Sequence, residues 1–470
     1  MNTPNPKVAS QQEGKTLTTW MPEDPAFWQS KGSGIAQRNL WISIPALLLA
    51  FVIWQVWSIT VPSLKSIGFN FTPNQMFWLV GLAGLSGGTL RIFYSFMIPI
   101  FGGRLWTTLT TLSLLVPAIG IGFAVQDPTT PYYVFAILAL LAGLGGGNFA
   151  SSMANISYFF PRAKKGNALA LNAGFGNLGV SVVQYFGPRV IKFAIPFGGA
   201  AVLVADKSVW LQNASLIWVP FIVIFAIIAW FGMNDIASAK ASFSDQAVIF
   251  KRKHNWLMCW LYMGTFGSFI GYAAGFPLLT QTLFPDVWKD VMPWVFVGPL
   301  VGALSRSATG WLSDKVGGAR VSLWVFVVMI LAVLAVIYFI SAKSFAGYYV
   351  SFLILFAGTG VGNASTFQMI PNIMRQEVIR LMPDASAEVR QRQAEKESAA
   401  ITGFTSAIAA YGFFLIPALY ASLADKRAAL WIFLGFYVTC AIITWVVYSR
   451  KGGVLHDVER YGRFWTVGKK

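Results

Sequence analysis

Two arginines stand in apolar surroundings that offer them no counter-charge. Arg91 lies eleven residues before the pair Gly102-Gly103, and Arg306 lies eleven residues before Gly317-Gly318. Eleven helical residues span about 16 Å, roughly half of a hydrocarbon core about 30 Å thick, so neither side chain reaches water comfortably by snorkelling. The 18 Asp and Glu residues all fall in loops, tails or helix ends, which leaves no carboxylate at that depth. An uncompensated guanidinium in low dielectric costs several kcal/mol, so the missing negative charge is expected to arrive with a ligand. Arg donates two parallel hydrogen bonds from a planar fork, and two facing forks suit a small planar oxyanion. Tyr262 and Phe266, four residues apart, share a helix face, and Phe149 supplies a second aromatic wall. Asn177 sits among Gly174, Gly176 and Gly179 and is placed to donate to the same ligand. The bland alternatives are arginines packed on backbone carbonyls, aromatics in ordinary packing, and glycines that let helices approach.

The elements that must hold these residues are membrane helices. The chain has 470 residues, 56% hydrophobic and only 11% charged, against roughly 25% charged in soluble domains. Twelve apolar runs of spanning length are read at about 40–62, 75–101, 104–125, 132–160, 167–190, 213–232, 255–282, 291–312, 320–341, 346–374, 398–422 and 427–449. With both termini on one side, 25 Lys and Arg fall on that side and 8 on the other. That bias predicts cytoplasmic termini and explains most of the +17 net charge without nucleic acid. The polar first 38 residues read as a cytoplasmic tail, 233–254 as a cytoplasmic linker and 450–470 as a cytoplasmic C-terminal tail. His254 and His456 then belong to cytoplasmic segments, and Cys259 and Cys440 sit in apolar runs that imply no disulfide.

An internal repeat fixes the architecture. A shift of 215 residues carries Arg91 onto Arg306, Gly102-Gly103 onto Gly317-Gly318, and the stretch Gly143 to Asn148 onto Gly358 to Asn363. A shift of 229 carries Gly174-Phe175 onto Gly403-Phe404 and Pro188 onto Pro417, and the extra residues fit a charged loop around 376–397. Two parallel six-helix halves, 39–232 and 255–449, are the arrangement of the major facilitator superfamily, with substrate at the midplane between them. The run from Gly310 through Asp314 to Arg320 resembles that superfamily's loop signature. Its first-half copy carries Pro99 where the acid belongs.

Nitrate, nitrite and small carboxylates fit two facing guanidinium forks, and phosphate esters match by charge. The stretches Gly147 to Pro161 and Ala170 to Gly179, with Pro22 to Trp28, Thr265 to Ile270 and Gly403 to Ser406, resemble the nitrate/nitrite porter family, NarK type, over nearly the whole chain. The resemblance implies that Arg91 and Arg306 clamp nitrate or nitrite, that Asn177 and Tyr262 hydrogen-bond it, and that Phe149 and Phe266 sandwich it. It also implies that Gly174, Gly403 and Ser406 lie in two signature helices, with Ala173 standing where the family usually has Gly. The expected protein is a monomeric nitrate and nitrite carrier in a bacterial inner membrane, with no cofactor and no enzymatic activity. No acid or His lies within a span, so nitrate/nitrite exchange is expected over proton symport, the alternative; carriage of another small oxyanion is a further one. A channel or sensor on the same scaffold would call for cytosolic effector domains, which the chain lacks.

Overall fold

A computed structural model describes residues 15–204, 207–237 and 247–460; the tail residues 1–14 and 461–470 and the linker residues 238–246 lie outside them. Twelve long helical segments make up the described chain. In the first half they are α1 (Pro25–Ile67), α2 (Pro73–Tyr94), α3 (Gly103–Ala124), α4 (Tyr132–Phe159), α5 (Arg162–Val190) and α6 (Asn213–Gly232). In the second half they are α7 (Lys253–Tyr262, continued by Met263–Gly267 and Ser268–Leu283), α8 (Trp288–Val316), α9 (Gly318–Ser341), α10 (Phe345–Leu381), α11 (Ala387–Ser422) and α12 (Lys426–Ser449). Ten are apolar enough to cross a membrane by length and composition alone. The other two are α5, which opens with Arg162, Lys164 and Lys165, and α7.

The repeat is visible in the backbone. Gly102 and Gly317, related by the 215-residue shift, both have positive φ, 80° and 103°, and both turn the chain into the long helix that follows. A side chain at either position would be strained in that region. Each is covered by an acid from beyond the last helix of its own half. Asp235 accepts from the Arg104 amide at 2.8 Å, and Glu459 accepts from the Ala319 amide at 2.7 Å. Burial raises the Glu459 carboxyl above its ordinary range in spite of those backbone donors.

Several boundaries differ from the hydropathy reading. The charged stretch around 376–397 is not a loop: α10 runs on to Leu381 and α11 starts at Ala387, leaving a corner of five residues. Exposed Arg392 pairs there with Glu388 at i,i+4, and Gln393 donates to buried Glu397 one turn on, turns that hydropathy does not register. The polar tail likewise contains the start of α1, where Asp24 caps the amide of Ala26. The second helix stops at Tyr94 and resumes as a short helix, Met97–Phe101. His254 is not in a loop but in the first turn of α7, buried, with Glu377 at 3.7 Å.

The halves meet through α2 with α11, α5 with α8, and α1 and α2 with α7. Hydrogen bonds between them run from the level of Arg91 away from the termini: Thr89 to Tyr411, Gln55 to the Ile270 carbonyl, Gln184 to the Ala273 carbonyl, Gln281 to the Pro62 carbonyl and Arg189 to the Pro293 carbonyl. Toward the termini, Gly166, Gly310 and Gly403 have open space beside them. The hydrogen bonds between the halves thus gather on the face opposite the ends of the described chain.

Candidate anion site

Glycines in α4 admit the side chains that surround Arg91. A methyl on Gly146 would meet the Trp54 ring at 2.6 Å, and one on Gly147 would meet the Tyr94 ring at the same distance. Arg91 is fully buried between the halves. Its Nε donates to the Gly146 carbonyl at 2.9 Å in α4, and its Nη1 donates to the Ser406 carbonyl at 3.2 Å in α11. Its guanidinium carbon lies 4.9 Å from the Phe149 ring centre, 5.1 Å from Trp54 and 5.4 Å from Phe266. Its Nη2 is buried and has no hydrogen-bond partner.

Arg306 is held differently. It is partly exposed, its guanidinium carbon lies 5.3 Å from the Phe367 ring centre, and its Nη1 is buried without a partner. The repeat puts the two arginines at equivalent places in sequence, yet only Arg91 is anchored to backbone.

A column of aromatic rings joins them. Phe149 stacks on Phe266 at 6.1 Å, Phe266 on Tyr262 at 5.5 Å, and Tyr262 on Phe367 at 4.4 Å. Tyr262 and Phe266 flank and occupy the π turn Met263–Gly267, which keeps their rings within 10° of parallel; single π turns recur at functional sites. Phe149 and Phe266 do not stand apart as two walls but face each other directly. The Tyr262 hydroxyl is buried and unpartnered, and so are both amide atoms of Asn177. On α5, Gly176 lets Leu47 approach, where a methyl would meet it at 2.6 Å.

The remaining sequence-derived positions stand further from any ligand role. Ser406 turns its hydroxyl back to the Gly403 carbonyl at 2.8 Å and offers its own carbonyl to Arg91. A methyl on Gly174 would meet the Ser307 hydroxyl at 3.1 Å across the halves, whereas Gly403 faces open space. Three participants escaped the sequence reading: Phe367, Trp54 and the Gly146 carbonyl. Gly146 belongs to the repeated glycine stretch and could have been found there. Phe367 could not, because the repeat pairs it with Ser152.

A buried polar atom without a partner costs about 1–3 kcal/mol, and more when charged. Four helices of this bundle carry such atoms on two arginines, one tyrosine and one asparagine.

The sequence profile of the Major Facilitator Superfamily matches residues 25–380. The nitrate/nitrite transporter NarU of Salmonella typhimurium is 49% identical over 449 residues, covering 93% of this chain and 96% of that protein. The chain belongs to the nitrate/nitrite porter family. A second member, the probable nitrate/nitrite antiporter NarK2 of Thermus thermophilus, is 39% identical to this porter over 456 residues, covering 94% of this chain and 98% of the other. Among solved structures, the proton:xylose symporter XylE shares the porter's fold, with a TM-score of 0.61 at 14% identity over 92% of this chain and 100% of that one.

Proposed function

We propose that this porter carries nitrate and nitrite across a bacterial inner membrane, as a monomer with cytoplasmic termini, by exchanging one anion for the other. The observation that carries the reading is the set of buried, unpartnered groups on Arg91, Arg306, Tyr262 and Asn177. Relatives named as nitrate/nitrite transporters supply the anion's identity. A planar anion accepts from both guanidinium forks, while the tyrosine hydroxyl and the asparagine amide donate at its edge. The ring column beneath excludes water and strengthens those bonds.

The exchange follows from charge. With the site empty, two like charges face each other across the interface that must close, and repulsion opposes the change of access. A bound anion offsets it, so the halves rock only when loaded. No Asp, Glu or His among the described residues stands at the level of the two arginines. Glu377 and Glu397 lie toward the terminal ends of α10 and α11, paired with Arg380 and Arg252. A proton-coupled mode would need a loop residue or water to carry the proton, and buried His254 is eight residues along α7 from Tyr262, about 12 Å.

Counterflow in liposomes tests both parts. Nitrite-loaded vesicles should take up external nitrate without a pH gradient; Arg91→Lys should lose that uptake and Arg306→Lys should weaken it at limiting nitrate, because the ammonium lacks the planar fork. Full activity in both variants would overturn the clamp. Uptake that required a proton gradient would overturn the exchange.

A further inference from the structure

The motif from Pro22 to Trp28 has no part in the anion site, yet it is built into the fold. Leu17 and Trp28 join Ile156, Phe159, Phe160 and Ala168 in a small hydrophobic cluster separate from the main core. The Trp20 indole donates to the Tyr158 carbonyl at 3.0 Å and its ring meets Phe159 edge-on. The Lys164 ammonium lies over the Trp28 ring at 5.4 Å. These contacts grip the corner where α4 ends and α5 begins. The same segment is anchored at its other end, where the strand Thr16–Leu17 pairs in parallel with Asp235–Ile236 after α6, and Asp235 caps α3.

The second half holds its corner with different chemistry and from later residues, since the 215-residue shift carries Arg252 and His254 onto Gln37 and Asn39 and not onto Trp20 and Trp28. Arg252, in the lead-in to α7, makes a bidentate pair with buried Glu397 near the start of α11, both bonds 2.7 Å. His254, the 215-residue counterpart of Asn39, lies 3.7 Å from Glu377 near the end of α10 and 3.1 Å from the Tyr448 hydroxyl. Glu377 also accepts from Arg380 at 2.9 Å. In both halves, therefore, residues that lead into or open the first helix touch the helices that meet at the corner between the fourth and fifth. The four helices that meet at these corners carry Phe149, Asn177, Phe367 and Ser406.

We propose that these two lead-in segments are braces that position the α4–α5 and α10–α11 corners, apolar in the first half and ionic in the second, so that each half changes access as one body. This rests on the transport reading above. A helix pair free to splay at its corner would absorb part of the rocking motion without passing it to the site, so turnover depends on the braces while the anion contacts do not.

The test uses the full-length porter in liposomes and four variants: Trp20→Ala with Trp28→Ala, the conservative Trp28→Phe, Arg252→Gln, and the charge swap Arg252→Glu with Glu397→Arg. In the double Trp variant and in Arg252→Gln, nitrate turnover should fall about tenfold with KM within about twofold, because the step impaired is conformational. Trp28→Phe and the swap should recover most of the rate. Backbone amide exchange over residues 156–166 should quicken in the double Trp variant and return toward wild type in Trp28→Phe, which reads the corner itself in folded protein. Unchanged turnover with faster exchange at the corner would overturn the proposal, as would a loss expressed in KM alone. Absence of counterflow in the unmodified porter would instead remove the transport reading on which it rests.

Discussion

Arg91 and Arg306 occupy equivalent positions in a sequence repeat, but the two halves hold them in unlike ways. Arg91 is sealed in, with two of its donors on backbone carbonyls of α4 and α11 and three aromatic rings about its guanidinium. Arg306 is partly exposed, with one aromatic neighbour, Phe367, close to its guanidinium. The difference shows what a repeat preserves and what it releases. Residue type and depth are duplicated, whereas the packing is set by residues outside the duplicated motif, such as Phe367 opposite Ser152. On the transport reading proposed above, Arg91 is the fixed jaw of the clamp and Arg306 the more exposed one.

Substitutions can break this comparison, beginning with the largest effect. Arg91→Lys removes the fork, the tie to Gly146 and the tie to Ser406 together, and turnover should fall by about a thousandfold or more, the scale of losing a preorganised charged donor set. Arg306→Lys should cost about ten- to a hundredfold, expressed mainly as weaker nitrate binding in a titration, since fewer protein contacts depend on it. Equal losses at the two sites would show the jaws to be alike. Tyr262→Phe keeps the ring column and deletes only the hydroxyl, so affinity should drop about tenfold, the value of one hydrogen bond to a charged group. Phe367→Leu should change nitrate KM by a few-fold at most, about the worth of one exposed cation–π contact. If it reached the Arg306→Lys value, the jaw would depend on its aromatic seat more than on its charge.

Much of the fold was legible because the bilayer simplifies it. Long apolar runs and the 215-residue shift marked twelve helices and two halves, and the gaps between the runs left Gly102 and Gly317 between helices. The readable part of the site was its charge: two arginines at a depth where no acid is placed. Illegible were the things hydropathy does not encode. The charged helical turns on either side of Met382 look like loop, since solvated helix has the composition of a loop. The lead-in from Lys15 to Trp28 looks like a tail, because its contacts with Phe159 and Phe160 bridge over a hundred positions. The face-to-face approach of Phe149 and Phe266 depends on how closely two halves meet, which no pattern within one helix sets.

The central claim is that one anion answers both arginines. Its most direct measurement is a structure of the porter with nitrate bound. The account predicts trigonal density within about 3 Å of Arg91 Nη2, Arg306 Nη1, the Tyr262 hydroxyl and the Asn177 amide, with the Arg91 bonds to Gly146 and Ser406 still in place. Nitrate bound to one arginine alone, or resting elsewhere while both guanidinium groups stay unpartnered, would contradict it.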